Sequence, residues 1–398
     1  MRGLRRTSII LITLPLLFFT VLSTQAQARS KRTAPFGLFG AVLDPLETDP
    51  GSVSNATLDA QMGLMARSGV ESLRVTFDWG QVEPLPNTYD WSNTDQIVAD
   101  AAMHGLTLLP DLIYTPTWAS TRPNSAVAYR YQPTSPALFA QFATALAQRY
   151  GPGGTFWKLN PQLPRDPVTE WQIWNEEAFN VFWASSPWPA TYTKLLKAGY
   201  TAIHRVDRHA LVVPGSLADV GSQTQWAEMS SLYRAGAGRY FNVVSVHPFV
   251  VDPKSVSYTV TLMLKIVDNV RAVMRRHGDA HKPVILTEMS WPGAVGIVPK
   301  DRLLGLETTP SGERRRLAAA YAYLSQHWRK TGITQAYWYT WASTFDRHDP
   351  QSDVSFDFSG LTRYSNGSFI REPALTTYAN TAARFEGCRK TDNAKKCR

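Results

Sequence analysis

The sequence predicts an α/β fold, a (β/α)8 TIM barrel forming one catalytic domain. Three observations lead there. Eight short runs rich in apolar and β-branched residues recur along the chain. Longer stretches with apolar residues at i, i+3 and i+4 alternate with them, which is the pattern of parallel βα units. The glycine-rich phosphate loop expected of an open doubly wound sheet is missing, since 36-FGLFG-40 keeps its glycines within a strand-like run.

In chain order the strand candidates are 36-FGLFGAV-42, 71-ESLRVTF-77, 106-LTLLPDLIY-114, 169-TEWQIWN-175, 210-ALVVPG-215, 241-FNVVSVH-247, 283-PVILTE-288 and 333-ITQAYWYTW-341. Eight is the strand count of a closed parallel barrel. Pro110 falls inside the third run, where a proline is out of place in a central strand. Helical candidates cover 57–69, 136–151, 189–205, 260–278 and 312–332, and several of them end on glycine, the usual helix stop. No internal repeat, low-complexity segment or Pro/Ser/Thr-rich linker divides the chain, so one domain is expected over 29–386.

The two ends read differently from the body. Arg2, Arg5 and Arg6 precede an apolar run from Ile9 to Val21, followed by Ala26-Gln27-Ala28. That order predicts a secretory signal peptide over 1–28, and hence a secreted or cell-envelope protein with no membrane span once it is removed. The apolar run is short for a membrane anchor. Of the formal charge of +9, the signal segment carries +3 and the residues from Arg384 onward +4, which leaves +2 for the long middle. So even a balance argues against a nucleic-acid partner. The basic tail 387–398 reads as a solvated end. It holds both cysteines, Cys388 and Cys397, and export predicts one small disulfide loop between them.

In such a barrel, functional side chains gather where the strands end. Arg74 lies on the second run, and Asn175-Glu176-Glu177 close the fourth. His247 closes the sixth, Glu288 the seventh, and Trp118, Trp291 and Trp341 stand near the same rim. Glu176 and Glu288 are 112 positions apart in sequence, yet both follow apolar runs. Two carboxyls facing one ligand are what glycosidic bond cleavage requires. One must be protonated to help the leaving oxygen, and the other ionised to attack carbon or activate water. Desolvation at an apolar strand end raises a carboxyl pKa, whereas a cation such as Arg74 lowers it. Of the thirteen tryptophans, those at strand ends (Trp79, Trp118, Trp174, Trp291, Trp341) suit either core packing or stacking on sugar rings. No metal-ligand motif such as His-Glu-x-x-His is present, and no cofactor is expected.

These motifs resemble those of the clan A glycoside hydrolases. 171-WQIWNEEAFNVFW-183 is similar to the Trp-Asn-Glu-Pro-Asn…Phe-Trp segment of glycoside hydrolase family 39 and its relatives, and 79-WGQVEPLPNTYDW-91, 240-YFNVVSVHPF-249, 285-ILTEMSWPG-293 and 359-SGLTRYSNGSFIREPA-374 match in style. The resemblance runs over most of the chain and implies a retaining enzyme acting on a β-linked oligo- or polysaccharide. It implies Glu176 as general acid/base and Glu288 as nucleophile. It further implies Asn175 on the substrate 2-hydroxyl, Arg74 holding Glu288, His247 supporting the site and Trp341 beneath the sugar. Two positions depart from the pattern. Glu177 stands where the family has proline, and Phe249 where related sequences carry a tyrosine after His-Pro. Two other readings share these residues: a transglycosylase, and a carbohydrate-binding protein with weakened catalysis.

Overall fold

This is a computed structural model that describes residues 31–44, 49–219, 224–344, 356–389 and 391–397. The predicted signal segment lies outside the described residues.

All eight predicted strands form. They are β1 (Phe39–Leu43), β2 (Ser72–Asp78), β3 (Thr107–Ile113), β4 (Glu170–Ile173), β5 (Leu211–Pro214), β6 (Val244–Val246), β7 (Val284–Met289) and β8 (Ile333–Trp338). Every pairing is parallel, in the order β5-β4-β3-β2-β1-β8-β7-β6. The ring closes between β5 and β6 through Leu217, which donates to the Ser245 carbonyl at 3.1 Å and accepts from the His247 amide at 2.9 Å. One principal helix follows each strand: α1 (Asn55–Arg67), α2 (Ser92–Met103), α3 (Pro136–Tyr150), α4 (Trp188–Val206), α5 (Gln225–Arg234), α6 (Val256–Arg276), α7 (Pro310–Thr331) and α8 (Pro373–Glu386). The fold is a (β/α)8 barrel.

Three of these helices, α2, α5 and α8, are absent from the sequence prediction, as is a small sheet of Ala342–Ser343, Thr362–Ser365 and Ser368–Arg371 after β8. Pro110 sits within β3 after all. β4 pairs with β3 only from Asp111 onward, so the missing amide of Pro110 leaves no β4 ladder bond unmade.

Strand alternation builds two cores. Outward side chains join the helices in one large cluster. Inward ones fill the lumen with Val42, Leu109, Val213 and Ile285 from the odd strands, capped by Val243 and Tyr337. A Cβ at Gly40 would lie 2.6 Å from the Tyr337 ring, so only glycine lets that ring into the lumen. Above this apolar plug the inward positions turn polar, which is where a site can form.

Residues 32–33 and the segment around 393–395 pack at the opposite face. Arg32 pairs with buried Glu71 at 2.7 Å, and the Thr33 amide reaches the Phe385 carbonyl at 2.9 Å. The tail is not a solvated end. Ala394 is fully buried and donates to the His104 carbonyl at 2.8 Å, Asn393 donates to Met103, and Lys395 pairs with Asp166 at 2.6 Å. Cys388 is disulfide-bonded. A net basic composition misled the sequence reading here, because two apolar and amide contacts at the α2–β3 turn outweigh the solvation of neighbouring lysines. Among the described residues no helix is long and apolar enough to cross a membrane.

Candidate active site

Arg74 organises the mouth of the barrel. It is an inward residue of β2, buried, with its guanidinium divided among four partners. Nη1 donates to Glu288 Oε1 at 2.7 Å, Nη2 to Asn175 Oδ1 at 2.7 Å and to Asp111 Oδ2 at 3.0 Å, and Nε to Gln172 Oε1 at 2.7 Å. Gln172 passes the network to Ser216 at 2.9 Å, and Ser216 contacts Thr287 at 2.9 Å. An arginine keeps its charge at any working pH and offers five donors in a rigid fork. It therefore fixes groups from β3, β4, the segment after β4 and β7 in one constellation around β2.

Glu176 follows β4 through an unusual backbone. Trp174 and Glu176 both adopt left-handed conformations, with φ of 74° and 40°. Such residues are strained by about 1–3 kcal/mol each and persist only where their surroundings hold them. The holding is visible. The Trp174 indole is fully buried, donates to the Phe182 carbonyl at 3.1 Å and packs edge-on against Trp183 at 4.8 Å. The aromatic residues of the 171–183 stretch thus serve as scaffold for the turn that lifts Glu176 into the mouth.

Glu176 Oε1 lies 2.6 Å from His247 Nδ1, and the same nitrogen is 3.5 Å from Glu288 Oε2. One oxygen of each glutamate and the imidazole nitrogen all fall within 4.8 Å of one another. Three such ligands could chelate an ion elsewhere, but here the Arg74 guanidinium already supplies the positive charge at Glu288. The Glu176 side chain keeps 14% exposure and that of Glu288 10%, so both can be reached from the mouth.

Electrostatics follow burial first. Desolvation pushes Glu176 up to about 7 against the pull of Arg74. Desolvation also pushes Glu288 up to about 7, opposed by His247 and Arg74 and reinforced by Glu176 and Asp44. Asp111 rises to about 6 through burial, again opposed by Arg74. Burial lowers His247 to about 3, so its imidazole is neutral at neutral pH. Two carboxyls this close titrate as a pair, sharing one proton near neutrality. The guanidinium bonds Glu288 directly and does not bond Glu176. The negative charge accordingly settles on Glu288 and the proton on Glu176.

The predicted residues fare differently. Arg74, Asn175, Glu176, His247 and Glu288 converge at one point. Trp341 and Trp291 do not join them. Trp341 is fully buried and donates to Gln61 on α1 at 3.0 Å, and Trp291 is 1% exposed beside Trp338. Both belong to the strand–helix core, so neither offers a ring face to a ligand. Trp118 is half-buried, donates to the Glu83 carbonyl at 3.0 Å and keeps accessible surface near the rim.

Just beyond β8, Tyr339 turns inward as Tyr337 does. It packs on the lumen cluster, and its hydroxyl is raised by burial and by the charges of Asp44, Glu288 and Glu176. Asp44, raised to about 6 by burial, accepts hydrogen bonds from Tyr339 and Thr340. Sequence reasoning missed Asp44, Asp111, Gln172 and Tyr339. The available signal was two-residue alternation: Tyr337 and Tyr339 share the inward face of β8, and Trp338 the outward one. Phe249 contacts His247 at 6.0 Å between ring centroids and also packs on Phe356, which in turn meets Tyr339.

No family model matches the chain, and no curated protein matches it. Solved structures do. A family 39 glycoside hydrolase from the gut symbiont Bacteroides cellulosilyticus WH2 aligns with a TM-score of 0.57 at 18% identity, over 88% of this chain and 64% of that one. A glycoside hydrolase family 5 mannosidase from Rhizomucor miehei gives 0.59 at 14%, over 89% and 96%. An exo-β-1,4-mannosidase from Opitutaceae bacterium strain TAV5 gives 0.56 at 17%, over 88% and 60%. The chain thus spans less than two thirds of the first and third of these proteins. The likeness is one of fold.

Proposed function

We propose that this chain is an exported retaining glycoside hydrolase that cleaves β-linked oligo- or polysaccharide by double displacement. The observation that carries the reading is the carboxyl pair. Glu176 and Glu288 bring oxygens within 4.8 Å of each other, and only Glu288 is bonded to a guanidinium. Retaining enzymes need carboxyls about 5–5.5 Å apart, whereas inversion needs about 6.5–9.5 Å to admit a water between them.

In the first step Glu288 attacks the anomeric carbon and Glu176 gives its proton to the leaving oxygen, so the glycosidic C–O bond breaks as an ester bond to Glu288 forms. In the second, Glu176 takes a proton from water, the hydroxide attacks the same carbon, and the ester opens to free Glu288. His247, neutral and 2.6 Å from Glu176, can accept or donate along that contact as Glu176 changes state. Asn175, held by Arg74, is placed to bond a sugar hydroxyl. Solved structures of similar fold described as an exo-β-1,4-mannosidase and as a complex with Manβ1-4GlcNAc support the β-linked class. The signal-like residues 1–28 support export. An acceptor sugar in place of water would give transglycosylation with the same residues.

The test is reducing-end release over a panel of β-linked glycans, with Glu288→Gln in parallel. The parent releases sugar with retained anomeric configuration, and the variant falls by about 10⁴-fold or more, the scale expected when a covalent nucleophile is lost. Equal release by both proteins removes Glu288 from the mechanism. Binding without release by the parent supports a carbohydrate-binding protein instead.

A further inference from the structure

Glu177 has no part in the chemistry above, and its surroundings are odd for a carboxyl. It is 2% exposed, and apart from the pull of its own backbone N–H neither of its side-chain oxygens has a hydrogen-bond partner among the described residues. It occupies the space beside Gly215 at the end of β5, where a Cβ would lie 1.9 Å from Glu177 Oε2. Tyr192 of α4 ties this corner together by donating to the Ile173 carbonyl at 2.7 Å and accepting from the Gly215 amide at 2.6 Å. Behind it lies a second buried carboxyl, Glu228 of α5. Glu228 Oε2 accepts from the Ala218 amide at 3.0 Å, and Oε1 has no partner among the described residues.

No cation serves this corner among the described residues. Arg74 is committed to Glu288 and Asp111, and His247 to Glu176. The titratable groups that act on Glu177 are Glu176 on its own loop and Asp111 on β3, and Glu177 in turn acts on Tyr192 of α4 and Glu228 of α5. None carries positive charge. An unpaired carboxylate in such a place is far costlier than a neutral acid.

We propose that Glu177 is a positioning residue that works as an un-ionised acid: it seats the loop carrying Glu176 against β5 and keeps negative charge out of the space behind the proton donor. The proposal rests on the hydrolase reading above only for the name of what Glu176 does. The wedge between Trp174 and Glu177, both buried, fixes the left-handed Glu176 between them. Burial and the field of Glu176 and Asp111 put Glu177 at about 8, and burial with the field of Glu177 puts Glu228 at about 10, which agrees with neutrality at working pH.

The consequence for stability has a definite direction. Between the ordinary glutamate value of 4.5 and about 8, folded Glu177 keeps a proton that the unfolded chain has lost. Stability therefore falls as pH rises through that window and levels off above it. Glu177→Gln retains the shape and removes the titration. Its melting temperature should match wild type near pH 5, exceed it increasingly up to about pH 8, and keep a constant margin beyond.

Infrared difference spectroscopy tests protonation and positioning without a substrate. Wild type should show a carboxylic C=O band, lost in Glu177→Gln, that persists above the range where ordinary glutamates ionise. The Glu176 band, assigned by its loss in Glu176→Gln, should titrate at the same pH in wild type and Glu177→Gln. In Glu177→Ala, which empties the seat beside Gly215, its midpoint should fall by about one unit toward the ordinary value. A Glu177 band absent at neutral pH, a melting difference that does not grow with pH, or an unmoved Glu176 midpoint in Glu177→Ala each overturns the proposal. Because these readouts need no glycan, they stand even if no hydrolysis is found.

Discussion

Glu176 and Glu177 are neighbours in sequence and opposites in setting. The first faces the mouth, contacts His247 at 2.6 Å and shares its charge with Glu288, which Arg74 neutralises. The second turns behind the strand ends toward Glu228, with no cation at hand among the described residues. Burial raises both carboxyls. What separates them is the partner. An arginine fork beside one pair lets a negative charge reside there, whereas its absence beside the other forces neutrality. Desolvation alone does not make a catalytic residue; a buried carboxyl becomes useful when a second group can hold the proton or the charge it gives up.

The contrast can be broken first at the mouth. Glu176→Gln removes the proton donor and should lower the rate on a natural glycan by about 10²–10⁴-fold. On an aryl glycoside whose leaving group needs no proton, glycosylation should recover and the product ester should accumulate as a burst. Equal losses on both substrates would move the donor role elsewhere.

Removing the cation should make the front pair resemble the rear one. Arg74→Met leaves Glu288 and Asp111 buried without their partner, and breaking a buried pair destabilises by about 3–5 kcal/mol. The loss should be larger at pH 8 than at pH 5, where the carboxyls can take up protons instead. In wild type the kcat/KM profile should be a bell centred near pH 7, because Glu288 must be ionised and Glu176 protonated, and a coupled pair loses its two protons on either side of that point. If Arg74→Lys retains measurable activity, its acid limb should shift upward, because a single ammonium replaces the fork that bonds Glu288 and three other groups. Chemical denaturation and pH–rate profiles measure these two effects.

A smaller effect is expected at the rim. Trp118→Ala removes the one predicted tryptophan with accessible surface and should raise KM a few-fold with little change in kcat, as loss of about 1 kcal/mol of uniform binding would. Trp341→Ala, by contrast, opens a cavity in the strand–helix core and should appear as about 3–5 kcal/mol of lost stability. If Trp341→Ala instead raised KM at unchanged stability, the burial argument would be wrong.

Much of the barrel was legible because strands buried on both faces write themselves as continuous apolar runs. The five residues that converge at the mouth were legible for a related reason. A charged or amide side chain at the end of such a run has few places to go except the rim, so Arg74, Asn175, Glu176, His247 and Glu288 could be proposed together. The tryptophans were not, since sequence does not say which side of a strand end a ring will take. Trp341 turned to Gln61 and the helices, while Tyr339, two positions earlier, turned to the carboxylates. Asp111 and Gln172 were hidden inside strand runs, visible only once the alternation of each strand was fixed by its neighbours.

The sequence by itself determined the eight βα units and the pair of glutamates at their ends, because hydrophobic period and strand-end position are local properties. Only the tertiary structure decided which carboxyl meets Arg74, which is left unpaired beside Gly215, which aromatic faces the mouth and where the tail docks. Each of those depends on contacts between residues about 40 to 290 positions apart, and on a few ångströms of separation that no local pattern encodes.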